Sequence, residues 1–477
     1  MVLGRGVPDT RHARRRTGGA ASDRGPGGAD VAVDRGAHRA PGTARGLLDP
    51  NDDGERSGVV ANGPGPVSAL QDLARRFVGW EAAGVLVGPR TFDALGALVA
   101  GSGTAEGRTI AAGGAWDGDV AAAIVRRVAT TRMTELDDIH MASCTTPGAV
   151  VVPTALTVAV ALGAGAQAYQ RAVEIGYEAM TRLGAAIDGP RIVYRGIWPT
   201  YFCAPFTAAA VVASLLDLDV PRTVNALGLA LTRATGLVSG IGGTPLGRWL
   251  TVGDGARSGC AAALAARDGF VAEVELDRVS AAAGVSFDRA ALAAEASPAI
   301  EQVSVKPMPA AKQCLAAIEA VLRMQVGEVP DRIRVKVPDV YAGMVAAPPS
   351  PTSRLSRLSS ARWNIALTLL APGELHDLDR SRAEDPELSE LAARIEIVGD
   401  PELSGMYPRR WPAQVEIAGR AETVIDAAGD PPNGNGAAAV DEKWRGRPEQ
   451  LQTLRDAAFA LDLERLAALL DTREGRS

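Results

Sequence analysis

The feature that most constrains the fold of this chain is a run of twenty residues, 149–168, without a charged side chain. A run of this length suits either a membrane-spanning helix or a helix buried inside a large domain. Pro153, Thr154 and two glycines dilute its hydrophobicity, and no belt of aromatic residues flanks it. We therefore predict a buried helix and no association with a membrane.

The composition predicts a large, helix-rich, intracellular protein without a bound metal. The chain has 477 residues, of which 47% are hydrophobic but only 4% are aromatic. Many of the hydrophobic residues are Ala and Leu, which are strong helix formers. Its four cysteines are far apart, and no H-E-x-x-H motif occurs. With no evident signal peptide, we expect a reduced, cytoplasmic chain, and its net charge of −6 gives no reason to expect nucleic acid as a partner.

Sequence character changes three times along the chain. Residues 1–66 are rich in Gly, Arg and Pro with almost no large apolar side chain, so we predict a disordered leader. Residues 67–300 carry helical periodicity, residues 301–419 mix helical and alternating patterns, and residues 420–477 return to helical character. The alternating patterns predict three strands, at 332–337, 394–398 and 414–418. The last stretch ends in one predicted amphipathic helix, Pro448–Asp471.

The stretch Thr134–Pro153 concentrates ionisable groups. Asp137, Asp138 and His140 lie within four residues, and His140 is the only one of the four histidines beside other ionisable groups in patterned sequence. We predict that His140 is a general base or acid, with an aspartate orienting it and raising its pKa. If this piece is helical, Asp137 and His140 share a face. In the alternative interpretation, the aspartates cap local backbone and His140 is structural.

Motifs in this stretch and beyond it resemble, in order, those of the MmgE/PrpD family, which includes 2-methylcitrate dehydratase and cis-aconitate decarboxylase. LDDIH at 136–140, the Pro-Gly turn at 147–148 and the Val-Val-Pro at 151–153 are similar to the family's LDFDDTH, HPG and VVP motifs. Further similar motifs are GYEAMTRLG (176–184), RGIWPT (195–200), VGDGARSG (252–259), VKPMP (305–309), SSARWNIALTLL (359–370) and GDPPN with DEKW (429–444).

This resemblance implies a mainly α fold with a large, discontinuous all-helical domain, a smaller α+β lid and a homodimeric state. It also implies elimination of water or carbon dioxide from small polycarboxylates without a metal or organic cofactor. Such a site needs a base, cations for the substrate's carboxylates, and an acid for the leaving group. Lys306 stands at the family's active-site lysine, and Arg248 stands where the family has a second lysine.

At three positions where the resemblance implies an acid–base histidine or tyrosine, this chain carries another residue. The HPG histidine corresponds to Thr146, a second histidine to Trp198 and the lid tyrosine to Trp363, and all three are expected to line the substrate site. Arg195 is a further candidate for binding the substrate. The glycine-rich loop 239–245, with Gly242 and Gly243, is either a tight turn or a source of backbone N–H groups for an anion.

We therefore predict a lyase that abstracts a proton next to a carboxylate of a small anionic hydroxy acid. Thr146, Trp198 and Trp363 do not donate protons at neutral pH, so a pre-activated leaving group such as phosphate is favoured. Lys306 and Arg248 are expected to bind a doubly anionic ligand between them. The alternative is a catalytically inactive homologue that binds a metabolite or serves as a dimeric scaffold.

Overall fold

The computed structural model describes residues 66–113, 120–237, 246–294, 298–329, 331–382, 384–432, 434–445 and 449–474. Apart from Pro66, the predicted leader lies outside the described residues. The glycine-rich loop with Gly242 and Gly243 lies outside them as well.

The described residues before 300 form helices and no extended sheet. These helices are α1 Pro66–Val78, α2 Val87–Ser102, α3 Ala105–Ala112, α4 Val120–Arg132, α5 Pro147–Leu162, α6 Ala166–Ala186, α7 Gly189–Ile192, α8 Pro199–Leu215, α9 Val220–Leu231, α10 Leu246–Arg267, α11 Leu276–Ala283 and α12 Arg289–Ala293. Their buried apolar side chains form the large core of the helical part of the molecule.

The uncharged run is the buried helix that the sequence predicts. Helix α5 is buried from Pro147 to Ala159 and packs against α4, α6 and α8. Gly163 ends it with a φ of +63°, a left-handed conformation that glycine adopts without strain. Among the described residues, no helix is both long enough and apolar enough to cross a bilayer.

The middle of the chain adds a small sheet with helices packed on it. Its helices and strands are α13 Lys312–Met324, β1 Ile333–Pro338, α14 Asp339–Val345, α15 Arg354–Ser359, α16 Ala361–Leu370, α17 Pro386–Ala393, β2 Ile395–Asp400, α18 Pro401–Ser404, β3 Ala413–Ile417 and β4 Arg420–Val424. The strand order is β2-β1-β3-β4, with β1 parallel to β2 and antiparallel to β3.

The three predicted strands are confirmed, and β4 is a strand that the sequence pattern did not indicate. Ala418 and Gly419, with φ values of +48° and +78°, join β3 to β4. Positive φ at both positions is typical of a two-residue hairpin turn. Most residues of β4 are exposed, so its sequence lacks the alternation of polar and apolar residues that marks a half-buried strand.

The C-terminal residues return to the helical part. Helix α19 Ala437–Trp444 and helix α20 Glu449–Ala460 contact α2, and helix α21 Leu463–Glu474 packs on α5. The single helix predicted over Pro448–Asp471 is wrong, because Leu461, with a φ of +51°, separates α20 from α21. The fold is thus mainly α, with a helical part that an α+β part interrupts. The exact domain boundaries stay a prediction.

Candidate active site

A cavity of about 50 Å³ lies where the helical part meets the α+β part. This volume is room for roughly three to five waters. Most of the lining side chains are buried. The lining residues are Arg132, Glu135, Ile139, Cys144, Thr146, Val193, Trp198, Thr200 and Arg248 from the helical part, and Lys306, Ala311, Lys312, Gln313, Met344, Leu355, Ser359 and Trp411 from the later segments.

The connection between α4 and α5 is not helical where the aspartates and His140 lie. Ile139 exchanges two backbone hydrogen bonds with Ser304, at N···O distances of 3.1 and 2.7 Å. His140 pairs in the same way with Thr145. The backbone here is therefore extended, and successive side chains point to opposite faces.

This antiparallel pairing places Lys306 opposite Asp137. Asp137 lies two residues before Ile139, and Lys306 lies two residues after its partner Ser304, so the two side chains are on the same face. Ile139 shares that face and lines the cavity. Local register thus accounts for a contact between residues far apart in sequence.

Four buried charged groups form a compact cluster at one end of the cavity. The Nζ atom of Lys306 is 3.0 Å from Glu135 Oε2 and 3.5 Å from Asp137 Oδ1. Arg132, the last residue of α4, is 2.8 Å from Glu135 Oε1 and 3.2 Å from Asp137 Oδ1. Glu135 has a φ of +53°, a conformation that costs a non-glycine residue energy and is common at functional sites.

The two carboxyl groups of this cluster differ in proton affinity. Burial raises the pKa of Glu135, but Arg132 and Lys306 outweigh burial and lower this pKa to about 2. For Asp137, burial is the dominant influence, and the pKa is raised. Glu135 therefore faces the cavity as a carboxylate at neutral pH.

Arg248 is a further buried cation of the cavity and lies in the first turn of α10. Its guanidinium carbon is 4.3 Å from the centre of the Trp198 ring and 4.8 Å from that of Trp249. Its Nε is 3.4 Å from the Tyr201 hydroxyl, and its buried Nη2 has no hydrogen-bond partner among the described residues. Such stacking favours a cation between aromatic faces and leaves the in-plane edge available.

Several helices begin at the cavity. Thr146 precedes α5, Trp198 precedes α8 and Ala311 precedes α13, and all three residues line the cavity. Helix N-termini carry partial positive charge, which favours a bound anion. Lys312, the first residue of α13, also lines the cavity, and its Nζ is 2.8 Å from buried Asp430.

His140 and Asp138 point away from this cavity. His140 Nδ1 is 2.8 Å from Ser143 Oγ, and its ring lines a separate cavity of about 190 Å³. Burial lowers the pKa of His140 to about 4, the opposite of the expected direction, and outweighs a side-chain hydrogen bond with Gln302 that raises this pKa. Asp138 accepts hydrogen bonds from Gly148 N at 2.8 Å and the Tyr177 hydroxyl at 2.7 Å, which agrees with the backbone-capping alternative.

The other predicted site residues divide between the cavity and remote positions. Thr146 and Trp198 line the cavity with Lys306 and Arg248. Trp363 is buried in the core of the α+β part. Arg195 is exposed and donates to the Gly284 carbonyl at 3.0 Å.

Sequence reasoning gave no role to Arg132, Cys144 and Trp411, although all three line the cavity. Arg132 and Glu135 are three residues apart at a helix end, a spacing that could have indicated an ion pair. Cys144 and Trp411 had no comparable local signal. Burial raises the pKa of the Cys144 thiol to about 12, so this group is a thiol at neutral pH.

Models of one known protein family match most of the chain. Residues 66–286 match the MmgE/PrpD N-terminal domain, and residues 308–457 match the MmgE/PrpD C-terminal domain. The chain therefore belongs to the MmgE/PrpD family, as the order of its motifs predicts. No curated protein matches the chain.

Proposed function

We propose that this chain is a lyase that eliminates a leaving group from a small carboxylic acid without a cofactor. One observation carries the proposal. A buried guanidinium without an ionic partner among the described residues, that of Arg248, lines the same cavity as the Glu135–Lys306 pair. The cavity thus combines an anion-binding group, a carboxylate base and an ammonium acid.

Arg248 binds the substrate's carboxylate in this proposal. A guanidinium edge matches a carboxylate with two parallel hydrogen bonds. The surrounding helix N-termini favour the same charge. Binding here holds the adjacent carbon near Glu135 and stabilises the negative charge that develops when that carbon loses its proton.

Glu135 is the base, since it is the only carboxylate among the described residues that line the cavity. Its pKa is about 2, and Arg248 is one of the cations that lower this pKa. A bound carboxylate neutralises part of that positive charge and so raises the pKa of Glu135. Substrate binding therefore increases the basicity that proton abstraction needs.

Lys306 is the acid. Glu135 takes the proton from the carbon next to the carboxylate, the C–H electron pair forms the double bond, and the leaving hydroxyl takes a proton from Lys306 Nζ. The products are an unsaturated acid and water. Glu135 then carries the extra proton beside a neutral Lys306, and transfer across their 3.0 Å contact restores the starting state.

The leaving group in this proposal is either hydroxide or a pre-activated group such as phosphate. Hydroxide needs the proton of Lys306, whereas phosphate leaves as a stable anion. The two cases separate when Lys306 is replaced by Met. Elimination of hydroxide is then expected to fall by about 10²–10⁴, the usual contribution of a positioned acid, while elimination of phosphate falls less.

The experiment incubates the full chain with malate, 3-hydroxybutyrate and 2-methylcitrate, and with their phosphate esters, and follows alkene absorbance. Lys443→Met is the matched control. Lys443 is also buried and pairs with Asp93 at 2.6 Å, but it does not line the cavity. Equal losses for both leaving groups in Lys306→Met would remove Lys306 as the acid. Binding of these acids without any turnover would favour the metabolite-binding alternative.

A further inference from the structure

We infer that the substrate is a small monocarboxylate with an apolar far end, and not a di- or tricarboxylate. This inference rests on the proposed function and names the substrate class of the same site. It departs from the expectation that Lys306 and Arg248 together bind a doubly anionic ligand. Three independent features of the cavity support it.

The first feature is the distribution of ion pairs. Of the four cations among the described residues that line the cavity, three already contact a carboxylate of the chain itself. These contacts join Arg132 to Glu135 and Asp137, Lys306 to the same two acids, and Lys312 to Asp430. Among the described cavity residues, only Arg248 remains for a ligand's carboxylate. A second ligand carboxylate has to compete with Glu135 or Asp430 for its cation.

The second feature is the shape of that single anion site. The guanidinium carbon of Arg248 lies over the rings of Trp198 and Trp249. Nε is directed to Tyr201, and Nη2 is buried without a partner among the described residues. A planar fork with an available edge binds one carboxylate in two parallel hydrogen bonds. The site is thus built for one carboxylate.

The third feature is an apolar wall. Ile139, Cys144, Val193 and Trp411 line the cavity and, with Met141, form an apolar cluster of their own. Trp198 packs against this cluster and also stacks on Arg248, so the wall adjoins the anion site. A second carboxylate directed at this wall loses its water without gaining a cation. A methyl or short alkyl group gains contact there instead.

Cavity size agrees with these features. Room for roughly three to five waters in a cavity of about 50 Å³ suits a four-carbon acid better than a branched tricarboxylate. The lining side chains are mostly buried, so a larger ligand requires displacement of packed groups. The size and the polarity of the cavity therefore both select against di- and tricarboxylates.

Crotonate and fumarate form a matched pair of probes, because crotonate carries a methyl group at the position where fumarate carries its second carboxylate. Isothermal titration calorimetry on the full chain is expected to show that crotonate binds roughly 10- to 100-fold more tightly than fumarate, the usual effect of burying a charge without a partner. Arg248→Met should abolish crotonate binding, whereas Lys443→Met should retain it. Tighter or equal binding of fumarate, or no binding of crotonate, overturns the inference.

Turnover separates this inference from the proposed function. Crotonate binding through Arg248 without elimination from 3-hydroxybutyrate or its phosphate ester would refute the lyase and leave the ligand class intact. Faster formation of fumarate from malate than of crotonate from 3-hydroxybutyrate would leave the lyase intact and refute the monocarboxylate.

Discussion

Replacing Glu135 with Gln removes one negative charge from the buried cluster while keeping the size of the side chain. Arg132 and Lys306 lower the pKa of Glu135 from 4.5 to about 2 despite its burial. At 1.36 kcal/mol per pKa unit, this shift corresponds to about 3 kcal/mol of stabilisation. Loss of one partner from a buried ion pair typically costs about 3–5 kcal/mol, which agrees.

The effect should depend on pH with a defined sign. The folded-state pKa of Glu135 lies below its unfolded value, so the stabilisation is complete above about pH 4.5 and is lost as the pH falls towards 2. The difference in unfolding free energy between wild type and Glu135→Gln should therefore be largest near neutral pH and shrink in acid.

The measurement is the midpoint of thermal unfolding at pH 7 and at pH 3, together with turnover at pH 7. With roughly 2.1 cal/mol/K of unfolding entropy per residue and on the order of 400 folded residues, 3 kcal/mol lowers the midpoint by about 4 °C at pH 7. Asp93→Asn is the matched control, because Asp93 is a buried carboxylate that pairs with Lys443, and neither residue is among those that line the cavity.

Both variants should be destabilised at pH 7, but only Glu135→Gln should lose turnover. Two results would refute the reasoning. An unchanged midpoint in Glu135→Gln would mean that the carboxylate is not held by the two cations. Normal turnover would mean that Glu135 is not the base.

Three further predictions concern sites outside this cluster. His140→Gln should leave turnover at pH 7 unchanged. Wild type should lose about 3 kcal/mol of stability as the pH falls from 6.5 to 4, because His140 is neutral when folded and is protonated on unfolding in that range, and the variant should not show this loss. A 10²–10⁴-fold loss of turnover in the variant would instead identify His140 as the base. Gly148→Ala should lower the free energy of unfolding by about 1–3 kcal/mol, since the added Cβ would lie 2.9 Å from both carboxylate oxygens of Asp138. Gly343→Ala is the control and should not lower it, because no atom lies within 4 Å of the Cβ added there. Equal denaturation midpoints for the two variants would contradict this prediction. Deletion of residues 1–64 should leave the thermal midpoint unchanged, and a large drop would show that the leader packs on the folded part.

The fold was predictable because its signals are local and ordered along the chain. The uncharged run gives α5, the alternating segments give three strands, and the motif order gives the family. Three of the four lysines in the sequence, Lys306, Lys312 and Lys443, are buried beside a carboxylate.

The site was predictable only in part, because local sequence does not fix which way a short connection faces. Asp137 and His140 share a face in a helix but point to opposite faces in an extended chain, and pairing with Ser304 makes this segment extended. Trp411 reaches the cavity through tertiary packing from the far end of the α+β part. No spacing rule relates it to Arg248 or Glu135.

The bridge between Ile139 and Ser304 makes the length of this connection critical. A shift by a single residue exchanges the two faces of an extended segment. If a one-residue insertion or deletion between Arg132 and Ile139 shifts this register, Asp138 and His140 face Lys306, and Asp137 faces Tyr177. Substitutions here change one side chain at a time, whereas a shift of register exchanges Asp137 beside Lys306 for a different carboxylate and an imidazole. Grafting this connection into another scaffold therefore requires the same number of residues.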